Sequence, residues 1–120
     1  MQDISLGVIE AKFADIIWSN APLSSSALVT LAQYTLGWKK STTYTVLKRL
    51  CEKGIFENNG GTVSVKLSRD AFYTLQSQRF VEETFQGSLP AFLAAFTSGK
   101  RLSAQEVAQL RQLVQDHEEG

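Results

Sequence analysis

Four residues, Asn58-Asn59-Gly60-Gly61, constrain this chain more than any other feature. Asparagine and glycine adopt positive φ at low cost, so the run marks a tight turn. Thr62-Val63-Ser64-Val65-Lys66-Leu67 follows it and alternates with period two, as a half-buried strand does. Ahead of the hairpin, apolar residues recur at helical spacing in three short segments. What the chain can fold into is therefore narrow: three helices feeding one hairpin.

The first segment is a helix over 8–20. Ile9, Phe13, Ile16 and Ile17 fall on one face of a 3.6-residue period. Asn20-Ala21-Pro22 ends it, because the residue before a proline is driven away from helical backbone. Ser24 is the N-cap of a second helix, which buries Leu28, Leu31 and Ala32 and stops at Gly37 in a left-handed conformation. A third helix runs from about Ser41 to Lys53, with Gly54 closing it. Helix, helix, helix and hairpin, joined by short connections, is the element order of a winged helix-turn-helix.

Helical spacing returns after Ser68. Phe72, Leu75, Phe80, Val81 and Phe85 lie along a helix that ends at Gly87, and a short helix spans about Leu89 to Thr97 with Pro90 in its first turn. Ser103-Ala-Gln-Glu106 is a capping box that opens the last helix, whose stripe is Val107, Leu110, Leu113 and Val114. The expected fold is mainly α with a small β-hairpin. A winged helix-turn-helix occupies 1–68, and a C-terminal three-helix dimerisation region occupies 69–120.

Several function classes drop out. No apolar run approaches the roughly 20 residues that span a bilayer, so no membrane role is expected. The N-terminus lacks a charged-then-apolar export pattern, and the single cysteine, Cys51, fits a reducing cytoplasm. Cys51 lies on the apolar side of the third helix and reads as a small hydrophobe. One cysteine and one histidine, His117 in an acidic tail, leave no transition-metal ligand set. There is no glycine-rich phosphate loop and no paired nucleophile and base, so neither an enzyme nor a cofactor is expected.

The formal net charge is zero, yet the charges are not spread evenly. From Trp38 to Gly54 the cations are Lys39, Lys40, Lys48, Arg49 and Lys53, opposed only by Glu52. The tail carries Asp116, Glu118 and Glu119. Binding to phosphate depends on the local field more than on the total. On the third helix, Thr45, Arg49, Glu52 and Lys53 gather on the Thr42 side, with Leu47, Leu50 and Cys51 opposite and Thr43 and Tyr44 at the edges. Small hydroxyls let a backbone approach base edges in the major groove, and longer cations reach phosphates. The candidate DNA-binding residues are Lys39, Lys40, Ser41, Thr42, Thr45, Lys48, Arg49 and, on the wing, Lys66. Thr42 and Thr45 are placed for bases and Arg49 for a phosphate.

Large apolar residues crowd the C-terminal third. Phe80, Phe85, Leu89, Phe92, Phe96, Leu110, Leu113 and Val114 exceed what three short helices can hide, which points to a homodimer interface. Packing of these residues onto the winged helix is the competing account. For function, the competing account is a winged helix that binds another protein and has no direct DNA role. The neutral total charge and a wing with Lys66 as its one cation favour that account; the cations around the third helix oppose it.

With its elements placed, the chain resembles the penicillinase repressor family (BlaI/MecI, with a copper-responsive branch) of bacterial transcriptional repressors. The resemblance spans nearly the whole sequence. It is carried by "IIWSNAPLSSSAL", by "GWKKSTTYTVLKRLCEKGIF", and by "SRDAFYTLQSQRFVEETFQGSLPAFLAAF" with "KRLSAQEVAQLRQLV". It implies a homodimeric repressor seated on a near-palindromic promoter operator, with Thr42, Thr45 and Arg49 at the DNA. Lys39-Lys40-Ser41 stands where that family often has Ser-Pro-Lys, and the wing is poorer in Arg and Tyr. A regulatory protease is the partner implied by the β-lactam-responsive branch, where cutting an Asn-Phe bond releases the repressor. Here the matching bond is Ala95-Phe96. The cysteine cluster of the copper-responsive branch is missing.

Overall fold

The computed structural model describes residues 5–120. The first helix, α1, is Val8–Asn20, and Glu10 at its third position accepts from the Gly7 amide at 3.4 Å. Phe13, Ala14 and Ile17 are buried on its inner face. Ile9, which the periodicity puts on that face, is 52% exposed, because burial starts only at the second turn.

Ser24 ends a two-residue strand, β1 (Leu23–Ser24), and caps α2 (Ser25–Leu36) by accepting from the Ala27 amide at 3.1 Å. Gly37 stops α2 with φ of 70°, a left-handed backbone that glycine adopts without a Cβ clash. The third helix, α3, is Lys40–Glu52 and buries Thr43, Val46, Leu47 and Leu50. Thr43 lies at the centre of the buried face, not at its edge, and its hydroxyl donates to the Lys39 carbonyl at 3.1 Å. That intrahelical bond is what lets a hydroxyl sit in an apolar core.

The hairpin is β2 (Phe56–Asn59) and β3 (Thr62–Val65), joined by Gly60 and Gly61 at φ of 60° and 91°. Two consecutive positive φ values are what a two-residue hairpin turn of the primed type requires. The sheet has three strands where the sequence announces two. Its order is β1-β3-β2, all antiparallel, with Leu23 opposite Val63 and Ser24 opposite Thr62. Two residues cannot display an alternation, so β1 is invisible to periodicity and exists only through its pairing. β3 is also shorter than the alternation implies. The amides of Lys66 and Leu67 both donate to the Ile55 carbonyl at 3.0 Å, so the ladder ends at Val65.

Phe13, Ile17, Leu28, Leu47, Leu50, Ile55, Phe56, Val63 and Phe72 form one core between the three helices and the sheet. Full burial of each large side chain stabilises the fold by about 1.5–3 kcal/mol. Trp18 seals one side, with its ring centroid 5.4 Å from Phe56 and 5.5 Å from Phe72. Arg69 lies over that indole at 5.8 Å and is ion-paired to Asp15. Trp38 stacks on Phe13 at 4.9 Å.

α4 (Arg69–Phe85), α5 (Leu89–Thr97) and α6 (Ala104–Glu119) complete the chain. Two compact units divide within α4, after Gln78, and Phe72 belongs to the core of the first. In the second unit, Phe80, Phe85 and Phe92 meet edge to face with centroids 5.5–5.9 Å apart. Ser88 caps α5, and Ser103 with Glu106 forms the capping box of α6, at 3.0 and 3.1 Å. No residue of α5 or α6 is buried.

Candidate nucleic-acid interface

Four helices among the described residues start under a serine: Ser24, Ser68, Ser88 and Ser103 each accept an amide of the turn that follows. α3 does not. Its N-cap is Lys39, which makes no side-chain cap bond, and its first helical residue is Lys40. Free amides at a helix start carry partial positive charge, so two lysines there are electrostatically unfavourable. The local stability that a serine would add, about 1 kcal/mol, is forgone. Cations and uncapped amides at one helix start favour an anion there.

Lys39, Lys40, Ser41, Thr42, Thr45, Lys48 and Arg49 are all exposed. On α3 itself, Ser41, Thr42, Thr45, Lys48 and Arg49 share the face turned away from the core. The Thr45 hydroxyl donates to the Ser41 carbonyl at 2.9 Å, and the residue is exposed. α3 is seated against α2 by the Tyr44 hydroxyl, 3.1 Å from the Ser25 hydroxyl oxygen. Lys39, Lys40 and Lys48 have no acidic partner among the described residues.

Arg49 is different. Its guanidinium donates to Glu10 of α1 at 3.2 Å while remaining about half exposed. Lys53, one turn further, donates to the Ser5 carbonyl at 2.8 Å. The sequence brings out Arg49 as a phosphate ligand but misses Glu10, whose spacing from Gly7 signals only a helix cap. Lys66 is exposed and follows β3, at the opposite end of the hairpin from Gly60 and Gly61. Cys51 is half-buried, and burial pushes its thiol up from the usual value, against a smaller opposing hydrogen bond with the backbone of Asn58. A raised thiol pKa makes a poor nucleophile.

Most of the residues assigned from sequence to the dimer remain exposed. Phe80, Leu89, Phe96, Leu113 and Val114 are between 49% and 60% exposed, and Phe85, Phe92 and Leu110 are half-buried. A groove lined by Phe92, Leu93, Phe96, Leu102, Leu110 and Leu113 runs along α5 and α6. No helix among the described residues is long and apolar enough to cross a membrane, and no metal-ligand cluster occurs among them.

A helix-turn-helix with a three-stranded wing, followed by helices that keep a broad apolar face uncovered, defines a winged-helix protein with a helical appendage. Comparison with known proteins narrows the class. The family described as penicillinase repressor matches residues 6–116, and the chain belongs to that family of transcriptional repressors. A curated penicillinase repressor of Bacillus licheniformis is 23% identical over 112 residues, which is 90% of this chain and 88% of that protein.

Proposed function

We propose that the chain is a homodimeric DNA-binding repressor that occupies a near-palindromic operator through α3. Thr42 and Thr45 lie against base edges in the major groove, and Lys39, Lys40, Ser41, Lys48 and Arg49 meet the phosphates. Lys66 is the one cation beside the wing, so the wing adds little affinity. The observation that carries the reading is the start of α3, where lysines replace the serine cap used by four other helices.

The second copy comes from the uncovered apolar residues of α4, α5 and α6. Obligate dimer interfaces resemble a protein core cut in half, and Phe80, Leu89, Phe96, Leu113 and Val114 have that character. A two-fold pair of α3 helices would then address half-sites about 34–36 Å apart. The dimer works in the cytoplasm, with neither cofactor nor enzymatic activity. The Ala95-Phe96 bond lies inside α5, and its residues differ from the Asn-Phe pair cut in the β-lactam-responsive branch.

Footprinting the purified protein on the region upstream of its own reading frame tests this proposal. The expected result is a protected, near-symmetric segment whose occupancy falls steeply with added salt. Salt-insensitive or absent protection there would favour a protein partner for α3 instead.

A further inference from the structure

α3 carries its cations in two different states. Lys39, Lys40 and Lys48 have no acidic partner among the described residues, whereas the cations of its last turns are held by the N-terminal segment. Arg49 meets Glu10 at 3.2 Å, and Lys53 meets the Ser5 carbonyl at 2.8 Å. The Glu10 side chain is only 22% exposed, so it is the more confined partner of the pair. A phosphate oxygen and a carboxylate oxygen ask for the same guanidinium N–H groups. Whatever phosphate Arg49 grips must displace or share Glu10.

We infer that Glu10 is a built-in competitor for the phosphate that Arg49 would bind, and so limits the affinity of α3 for duplex DNA. The inference rests on the DNA-binding reading of α3 and adds to it a residue outside the recognition helix. Exposed ion pairs are weak, so the competition is a modest adjustment and not a lock. It also assigns roles along the helix. The first turns bind without competition, and Arg49 binds only as it displaces or shares Glu10.

Glu10→Gln removes the charge and keeps an acceptor for the Gly7 amide, so the start of α1 retains its cap. Binding of full-length protein to mixed-sequence duplex DNA is measured over a range of NaCl concentrations, in wild type, Glu10→Gln, Arg49→Met and the double variant. Thermal melting of each variant establishes that it is folded. Glu10→Gln is expected to tighten binding about two- to fivefold at low salt. It is also expected to steepen the salt slope by up to about one phosphate contact. In the Arg49→Met background the same substitution is expected to change neither. Equal tightening in both backgrounds would mean general charge repulsion and overturn the inference alone, as would unchanged or weaker binding by Glu10→Gln. Wild-type protein that shows no salt-sensitive binding at all would overturn the DNA reading, and the inference with it.

Discussion

The indole Nε1–H of Trp18 donates to the carbonyl of Leu67 at 3.0 Å, tying α1 to the residue that follows the wing. The two residues are 49 positions apart in sequence, yet this bond is where the sheet hands the chain over to α4. The same indole packs on Phe56 and Phe72 and lies under Arg69. One side chain thus closes the core and orients the exit from the wing.

Trp18→Phe keeps most of the packing and leaves the Leu67 carbonyl without its donor. The expected cost is about 1–3 kcal/mol. It is read as a lower denaturant midpoint at an unchanged slope. Trp18→Ala should cost about 3–5 kcal/mol. An unchanged midpoint for the phenylalanine variant would show that the hydrogen bond contributes nothing.

Replacing Lys39 by serine should move stability and binding in opposite directions. A serine at the N-cap of α3 can accept an amide of the first turn and removes a cation from the positive end of the helix dipole. Together these effects should stabilise the domain by roughly 0.5–2 kcal/mol. DNA affinity should fall, with a smaller salt slope. A variant that gained stability and kept full affinity would remove Lys39 from the interface.

Thr45→Ala is expected to weaken operator binding and to relax sequence preference, because the proposed base-edge contact would be lost. Lys48→Ala should weaken binding to all sequences about equally and lower the salt slope by about one. Titrations against an operator duplex and an unrelated duplex separate the two patterns. If both variants bind both duplexes as wild type does, the recognition face has been misassigned.

Leu113→Glu tests the proposed dimer. Leu113 is 57% exposed in the single chain, so a carboxylate there costs a monomer little. Buried in a two-fold interface, the same charge would be desolvated without a partner, a penalty of several kcal/mol. Sedimentation velocity should show the dimer replaced by a monomer with its helical content intact. A variant that sediments as wild type does would place the interface elsewhere.

Much of this fold was legible because its signals are local. Ser24 and Ala27, Ser103 and Glu106, and the pair Gly60 and Gly61 each act within a few residues, so sequence neighbours reveal them. The bounds of α1 follow from one apolar stripe and one proline, and the exposed face of α3 follows from its period. Less legible were Ile9 and Thr43. A helical wheel treats every turn alike, whereas the core begins at the second turn of α1 and closes over Thr43.

The order of helices and hairpin, the caps, the turn, the cations around α3 and the surplus of apolar residues from Phe80 onward all follow from residues close along the chain. Each of these depends on backbone preference or on spacing along one element. Tertiary structure alone decided that Leu23 and Ser24 form a third strand, that Trp18 closes on Leu67, and that Arg49 faces Glu10. Those partners lie tens of residues apart: 49 for Trp18 and Leu67, and 39 for Arg49 and Glu10. No periodicity links residues at such separations. Only packing α1, α3 and the sheet around one core brings them within hydrogen-bonding reach.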